Sequence, residues 1–384
     1  MSAHIQIPPE RSGMELDEFL CLTYPLLNKG FLRRQVREGR ILVDGNPAVP
    51  SQRLKIDQVL FVDFDEDEEA PEAPVAPRIR IPILYEDAHV LAVDKPAGLA
   101  AEPERWARSN ACLSGALLEL ALERSQLSPE DPIAPITGLD FRPRLLHRLD
   151  KDTTGVVLVA KTIDAERRLR AAFERDEIRK EYLALVEGEY PLADGDADVV
   201  DLPIGPDEKK SGRMRIDRAG GKASRTRISV AQRFRGYTLL QCEPLTGRTH
   251  QIRVHLREIG FPLVVDALYG RRKALALSEI KRDYRKKPGH VESPLIERMT
   301  LHALAIEFPD PGDDSEGGSD GGSDGGSYGG SHGGQERESD FASNGKGANG
   351  VAHPVHGRRR IRVESPIPRD LARVLKQLSK VRAW

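Results

Sequence analysis

A loop with a central acid, Asp150, runs directly into an apolar segment, and this junction constrains the fold more than any other part of the chain. The loop sequence R-L-L-H-R-L-D-K-D-T-T-G spans 144–155, and the β-branched run V-V-L-V follows at 156–159. Such a run predicts a buried strand, so Asp150 is expected on a loop beside a core element. An acid at that place suits catalysis, but an isolated aspartate more often caps a turn or pairs with a neighbour such as Arg148.

Two further segments favour the catalytic interpretation of Asp150. They are K-E-Y-L-A-L-V at 180–186 and P-L-T-G-R-T-H-Q-I-R-V-H-L at 244–256. Together with the Asp150 loop they resemble the RluA-type pseudouridine synthases, whose motif H-R-L-D-x-x-T-S-G is met except that Thr154 replaces the serine and keeps a hydroxyl. The resemblance runs from about Ile81 to Phe308, resumes near Arg360, and includes D-K-P-A-G at 94–98 and L-H-A at 301–303.

The resemblance implies a fold and a set of site residues. The expected fold is α+β, with a mixed, largely antiparallel sheet and an active cleft across it. Asp150 is then the catalytic carboxylate, Arg253 the cation that pairs with it, and Tyr182 the ring that stacks on the target base. Arg148 is expected to enter the gap left when the uridine flips out, because a planar guanidinium stacks and hydrogen-bonds there. Without the resemblance, Tyr182 is better interpreted as a cross-strand packing residue.

The N-terminal part of the chain predicts a separate small module. M-E-L-D-E-F-L-C-L at 14–22 and F-L-R-R-Q-V-R-E-G-R at 31–40 have helical character, and I-L-V-D-G-N at 41–46 predicts a strand entering a D-G turn. This pattern resembles an S4-type RNA-binding module. Its arginines have the spacing to share one helical face, either as phosphate contacts or as a solvated surface: Arg33, Arg34, Arg37 and Arg40.

Composition shifts divide the chain into domains. Residues 1–65 form the predicted S4-like module, 66–80 a linker rich in acid, proline and alanine, and 81–384 the catalytic domain. From about 311 to 350 glycine, serine and acid dominate, with a near repeat of G-G-S-D. Such a composition cannot bury enough apolar surface to offset the entropy of ordering, so this segment is predicted to be a disordered surface insertion.

Periodicity within the catalytic domain predicts several elements. The segment 81–96 predicts two strands around a turn at Glu86 and Asp87. An amphipathic helix is expected over Asp164 to Arg179, leading into the strand that holds Tyr182. Gly236 to Pro244 and Ile252 to Leu256 add further strand and motif segments.

The overall charge neither supports nor excludes a nucleic-acid partner. The chain has 384 residues, enough for more than one domain. Its formal net charge is −2. An acidic run at 63–69 offsets basic stretches at 209–227 and 271–287. These two stretches are candidate phosphate contacts, with solvated loop charge as the alternative.

Nothing in the sequence calls for a metal or a cofactor. The cysteines Cys21, Cys112 and Cys242 form no C-x-x-C pair and are expected to be buried apolar residues. No apolar run approaches the roughly 18 residues of a membrane span, and no signal peptide is evident, so the cytoplasm is the expected location. The histidines are expected to be hydrogen-bonded structural residues of the cleft wall: His147, His250, His255 and His302.

The sequence therefore predicts a cytoplasmic, monomeric RNA pseudouridine synthase that acts on ribosomal RNA, with transfer RNA as the second candidate substrate. Two other classes stay open. A catalytically silent RNA-binding or RNA-folding protein would use the same cleft and give no product. A carboxylate-dependent glycosidase would release free base or sugar, but it needs a second acid facing Asp150. Asp152 is close in sequence, and nothing in the sequence places it across a sugar.

Overall fold

A computed structural model describes residues 2–7, 12–24, 29–63, 79–102, 112–125, 143–285, 289, 291–313, 350–355 and 358–383. The strands are β1 Ser2–Gln6, β2 Ile41–Val43, β3 Asn46–Pro47, β4 Val59–Asp63, β5 Ile83–Glu86, β6 Val90–Lys95, β7 Arg144–Leu145, β8 Thr154–Ala160, β9 Arg179–Glu187, β10 Ala197–Asp201, β11 Ile204–Pro206, β12 Met214–Ile216, β13 Arg225–Phe234, β14 Tyr237–Pro244, β15 Leu301–Pro309, β16 Gly350–Val355 and β17 Arg358–Glu364. The helices are α1 Leu16–Thr23, α2 Lys29–Arg37, α3 Leu113–Ser125, α4 Ile163–Glu174, α5 Gln251–Glu258, α6 Leu277–Ile280 and α7 Arg369–Val381. Most of the predicted linker and of the predicted insertion lies outside the described residues.

The chain divides into two compact units, residues 1–81 with 99–145 and residues 82–98 with 146–384. The first unit contains a four-stranded antiparallel sheet in the order β1-β4-β2-β3. Its predicted D-G turn is confirmed, since Asp44 and Gly45 have φ of 50° and 75°, the conformation of a tight two-residue hairpin. The helices α1 and α2 contribute Leu16, Leu20, Leu32 and Val36 to a core shared with the sheet residues Ile41, Leu60 and Val62.

The second unit is built on a long sheet in the order β10-β13-β14-β9-β15-β8-β6-β5, with β17 beside β15 and β16 beside β17. The pairings along it are antiparallel except the short parallel contact of β8 with β15. The predicted mixed, largely antiparallel sheet is therefore confirmed. No helix within the described ranges is long and apolar enough to cross a membrane.

Alternation along β9 decides which helix packs on which face of this sheet. Leu183 and Leu185 join a cluster with the α7 residues Leu371, Val374 and Leu378. The intervening Ala184 and Val186 join a cluster that includes Tyr182 and the α5 residues Ile252 and Leu256. Because successive side chains of a strand point to opposite faces, α5 lies on the face that carries Tyr182.

The strand after the Asp150 loop needs a glycine at its start. All seven residues of β8 are buried, which confirms the predicted core strand. Gly155 has φ of 117°, and a Cβ there would overlap the carbonyl oxygen of Ala303 on β15. Because Gly155 has no side chain, β8 can approach β15 more closely at this position than any other residue would allow.

Two predicted elements differ in the structure. The helix expected over 164–179 begins at Ile163 and ends at Glu174, because Asp176 adopts φ of 56° and Arg179 already belongs to β9. The segment 252–256 is part of α5 rather than a strand. The hairpin of β5 and β6, the strand β14 and the strand of Tyr182 are confirmed.

The predicted insertion starts and ends on neighbouring strands. Pro309 at the end of β15 pairs with Arg360 near the start of β17. β16 precedes β17 in the chain and pairs with its other edge. The strands before and after the predicted insertion therefore belong to the same sheet.

Candidate active site

The Asp150 loop is held in place by a buried lysine. Lys95 at the end of β6 is fully buried, and its Nζ donates hydrogen bonds of 2.9 Å to the carbonyl oxygens of Pro96 and Lys151. Burial lowers the pKa of Lys95 to about 8, although the charges of Asp152 and Asp150 oppose the shift. The Thr153 amide closes the loop on the carbonyl of Asp150. Asp150 is thereby placed on a fixed loop, with its side chain 25% exposed.

The Asp150 carboxylate forms an ion pair with Arg253, as the sequence predicts. Nη1 of Arg253 donates to Oδ2 of Asp150 at 2.7 Å. Arg253 lies on α5 with its side chain 7% exposed, so its guanidinium is largely shielded from water. Burial opposes a charged guanidinium, but its two carboxylate partners outweigh this and raise the pKa of Arg253. Arg253 is therefore charged whenever Asp150 is ionised.

A second carboxylate, Asp266, holds the other side of the same guanidinium. Nε and Nη2 of Arg253 each donate to Asp266 at 2.8 Å, a two-pronged contact. Oδ1 of Asp266 also accepts from the amides of Leu268 and Tyr269. Burial pushes the pKa of Asp266 up, but the hydrogen bonds and charge of Arg253 hold it below its ordinary value. Sequence reasoning missed Asp266; the available signal was an acid that directly follows the buried run L-V-V.

His250 and Tyr269 complete the surroundings of Asp150. Nε2 of His250 lies 3.8 Å from Oδ1 of Asp150, and its Nδ1 lies 2.8 Å from the Tyr269 hydroxyl. The Arg253 guanidinium stands 4.9 Å from the centre of the Tyr269 ring, within range of a cation–π contact. His250 adopts φ of 57°, a left-handed conformation that is uncommon for a residue other than glycine.

The other histidines behave as the sequence predicts. His147 accepts a hydrogen bond from the Leu158 amide, and His302 contacts the hydroxyl of Thr154. His255 contacts the hydroxyl of Thr226. These contacts confirm hydrogen-bonded structural histidines. Among the residues that the structure describes, no group of three His, Cys, Asp or Glu side chains is placed to hold a metal ion.

Tyr182 and Arg148, the other two residues that the sequence predicts for the site, lie on β9 and on the Asp150 loop. Tyr182 is half-buried on β9 and packs against the apolar cluster that includes α5. Burial raises its pKa, and the negative charge of Asp150 adds to the effect. Arg148 is exposed two residues before Asp150. The packing of Tyr182 agrees with either of its two interpretations.

A cavity of about 220 Å³ opens beside the ion pair. Asp150, His250, Arg253 and Asp266 line one part of it, and the loop neighbours Lys151 and Asp152 another. Its wall also includes Arg298, whose guanidinium is held by Asp370 through bonds of 2.6 and 2.7 Å. The cavity is thus lined by both carboxylates and cationic groups, and among its acids Asp150 and Asp266 are the two that bond to Arg253.

The arginines of the first unit fall into different environments. Arg33 on α2 pairs with the buried Asp17 at 2.6 Å. Arg34 and Arg37 are exposed on the same helix, and Arg34 lies over the Phe31 ring. Arg40 lies beyond the helix, because Gly39 ends α2 with φ of 75°. The expectation that all four share one helical face is therefore wrong for Arg40.

Comparisons with known sequences agree on one family. The family model described as RNA pseudouridylate synthase matches residues 89–258. A ribosomal large subunit pseudouridine synthase D of Nitrosomonas europaea is 36% identical over 80% of this chain and 80% of its own length. The enzyme of the same name from Pseudomonas aeruginosa is 32% identical over 80% of this chain and 87% of its own length. Among solved structures, human RNA pseudouridylate synthase domain containing 4 has a TM-score of 0.45 at 19% identity, covering 77% of this chain and 92% of that one.

Proposed function

Because this chain belongs to the RNA pseudouridylate synthase family, we propose that it isomerises specific uridines of large-subunit ribosomal RNA to pseudouridine, with Asp150 as the catalytic carboxylate. The curated relatives of similar length are named as ribosomal large subunit pseudouridine synthases, which supports the choice of RNA. The single observation that carries the role of Asp150 is its contact with Arg253 at 2.7 Å at the edge of the cavity.

The reaction needs no oxidant, reductant or energy source. The bond from N1 of uracil to the ribose carbon breaks, the base rotates, and its C5 joins the same carbon while the C5 proton leaves and N1 gains one. An ionised carboxylate starts this by attacking the sugar or the base, or by removing a sugar proton. Arg253 bonds to Oδ2 of Asp150 and leaves Oδ1 for the reaction, which supports a role for Asp150 in each of these steps.

Three further residues have proposed roles in this reaction. Arg253 stabilises the charge of Asp150 within a site largely closed to water. Tyr182 stacks on the target base, and its hydroxyl assists a late proton transfer. Arg148 fills the gap left by the flipped uridine, which offsets part of the few kcal/mol that unstacking costs.

The first unit is proposed to bind RNA in the manner of an S4-like module. Its exposed arginines Arg34, Arg37 and Arg40 are candidate phosphate contacts, whereas the guanidinium of Arg33 is already bound by Asp17. In the second unit, the basic stretches at 209–227 and 271–287 are further candidate phosphate contacts. RNA binding of this kind depends on salt, because each phosphate contact releases counterions.

The substitution Asp150→Asn tests the proposal. The amide keeps the shape of the side chain but loses its charge and its nucleophilicity, so product formation should be abolished while RNA affinity stays within a few-fold. Pseudouridine is measured in ribosomal RNA incubated with the purified protein, and affinity by titration with the same RNA. Turnover near the wild-type rate would remove Asp150 from the catalytic role.

Asp152→Asn is the matched control, since Asp152 lies on the same loop and lines the same cavity. We expect it to keep turnover within about tenfold of wild type, which is the outcome that a single catalytic carboxylate predicts. Equal loss in both variants with release of free base would indicate a two-carboxylate glycosidase instead. A wild-type protein that binds RNA and forms no product would indicate the silent binder.

A further inference from the structure

The surroundings of Asp150 include a hydrogen-bonded chain that the proposed reaction does not yet use. It begins at the backbone amide of Met214 on β12, which donates to the Tyr269 hydroxyl at 2.8 Å. The same hydroxyl lies 2.8 Å from Nδ1 of His250. The opposite ring nitrogen, Nε2, faces Oδ1 of Asp150 at 3.8 Å.

This chain determines which nitrogen of His250 carries the proton. A tyrosine hydroxyl has one proton to donate, and here it already accepts from the Met214 amide. Among the described residues, Nδ1 of His250 is the acceptor within reach of that proton. Nδ1 is therefore the unprotonated nitrogen of the neutral ring, and the ring proton is on Nε2.

The proton on Nε2 matters because of what it faces. Arg253 already bonds to Oδ2 of Asp150, so Oδ1 is the oxygen that remains for the reaction. An N–H directed at Oδ1 attracts and orients it, whereas the other tautomer would direct a lone pair at a negatively charged oxygen. A neutral His250 ring also leaves more negative charge on Asp150 than a second cation beside Arg253 would.

We propose that His250 is a positioning residue for the pseudouridine synthase reaction: Tyr269 fixes its Nε2–H tautomer, and the Nε2–H orients the reactive Oδ1 of Asp150. This inference rests on the proposed function, in which Asp150 is the catalytic carboxylate. The left-handed backbone of His250, at φ of 57°, supports it. Residues in uncommon backbone conformations cluster at active sites.

Two substitutions separate the two ends of the imidazole ring. In His250→Asn the amide ends near the position of Nδ1, so it meets Tyr269 but does not reach Asp150. In His250→Gln the amide ends near the position of Nε2 and still directs an N–H at Oδ1. Asparagine tolerates a left-handed backbone better than most residues, so His250→Asn should fold at least as well as wild type.

The 3.8 Å contact of Nε2 with Oδ1 is longer than a hydrogen bond and is expected to shorten when RNA binds. We therefore expect kcat to fall about tenfold or more in His250→Asn, the loss typical of one hydrogen bond to a charged group. His250→Gln should stay within about threefold of wild type. KM for RNA and the midpoint of thermal unfolding should be unchanged in both variants. Equal kcat in His250→Asn and wild type, or equal loss in both variants, would overturn the proposal.

A second measurement reads the tautomer directly. The nitrogen-15 spectrum of histidine-labelled full-length protein, with the His250 signals identified by their absence in His250→Asn, should show a protonated Nε2 and a bare Nδ1. Tyr269→Phe should shift this signal toward a mixture of tautomers. A protonated Nδ1 in wild type would overturn the proposal, even where the activity of a variant was lost through misfolding. Absence of pseudouridine with wild-type protein would instead contradict the proposed function, and the spectrum would still test whether Tyr269 fixes the tautomer of His250.

Discussion

Arg253 bonds to two carboxylates at once, and the flat fork of its guanidinium is what permits this. Nε and Nη2 point to Asp266, and Nη1 points to Asp150. Asp266 is itself fixed by two backbone amides, so the fork has a rigid support. A lysine ammonium carries the same charge but has no such fixed geometry.

The variant Arg253→Lys should therefore lose turnover with little change in RNA binding. Loss of a charge-assisted hydrogen bond costs about 1.5–3 kcal/mol. If that loss falls on the transition state, kcat should fall by roughly 10- to 150-fold. Single-turnover kinetics at saturating RNA measure the chemical step, and RNA affinity is the control. Wild-type kinetics in this variant would show that the ion pair with Asp150 is not needed for catalysis.

The residues of this site differ in how visible they are in the sequence. Asp150 and Arg253 stand in motifs, so the sequence names both and predicts their pairing, which the 2.7 Å contact shows. Asp266 stands 13 residues after Arg253 in an apolar segment. Its contact with Arg253 exists only because α5 and the chain after it pack together. Tyr269 is missed for the same reason, since its partners Met214 and His250 come from separate elements.

At the scale of secondary structure, the parallel contact of β8 with β15 depends on Gly155. The substitution Gly155→Ala adds a methyl group that overlaps the carbonyl of Ala303 in a left-handed backbone. We expect the free energy of unfolding to fall by about 2–6 kcal/mol, from backbone strain and overpacking together. Denaturant unfolding measures this loss.

Gly236→Ala provides the matched control for that prediction. Gly236 also has a positive φ, of 81°, but a Cβ there would meet nothing within 4 Å. Its loss should reflect strain alone, about 1–3 kcal/mol. Equal losses at the two positions would mean that the approach of β8 to β15 tolerates a side chain.

On helix α2, Arg33 is paired with Asp17, whereas Arg34 and Arg37 are exposed, so the two groups can be tested separately for RNA binding. Replacing the exposed Arg34 and Arg37 together by glutamine should weaken RNA binding and reduce the slope of log affinity against log salt by roughly 1.4–1.8. Arg33→Gln is the control, because that guanidinium is occupied by Asp17. It should leave the slope unchanged and lower stability. An unchanged slope in the double variant would show that these arginines make no phosphate contact with the RNA.

The segment 252–256 shows why a local pattern does not always decide between a helix and a strand. The segment I-R-V-H-L at 252–256 places apolar residues at every second position, which suits a strand, and also at 252 and 256, which suits one face of a helix. The structure has a helix there, packed on the β9–β14 face through Ile252 and Leu256. Local pattern alone leaves that choice open, because the packing partner decides it.

At the scale of the whole molecule, the sequence predicts a domain that is one continuous segment, but it does not predict that a later segment belongs to an earlier domain. The apolar cluster of the first unit draws on residues between Ile5 and Val62, which is the span of the predicted N-terminal module. Residues 99–145 also belong to that unit, although they follow the start of the second one. No composition shift signals such a return, so the limits 1–65, 66–80 and 81–384 stay a proposal.

Removal of 312–349 tests the predicted insertion at this same scale. The deletion keeps β16, so a short linker must join the end of β15 to Gly350, and both strands pair with β17 in the same sheet. Each doubling of a loop's length adds only about 0.6 kcal/mol of closure entropy, so a deletion that keeps a few linking residues should be neutral or slightly stabilising. Thermal unfolding and turnover on ribosomal RNA measure the two effects. A loss of several degrees in Tm, or a strong loss of turnover on the natural RNA alone, would show that the segment is ordered or recruits a partner.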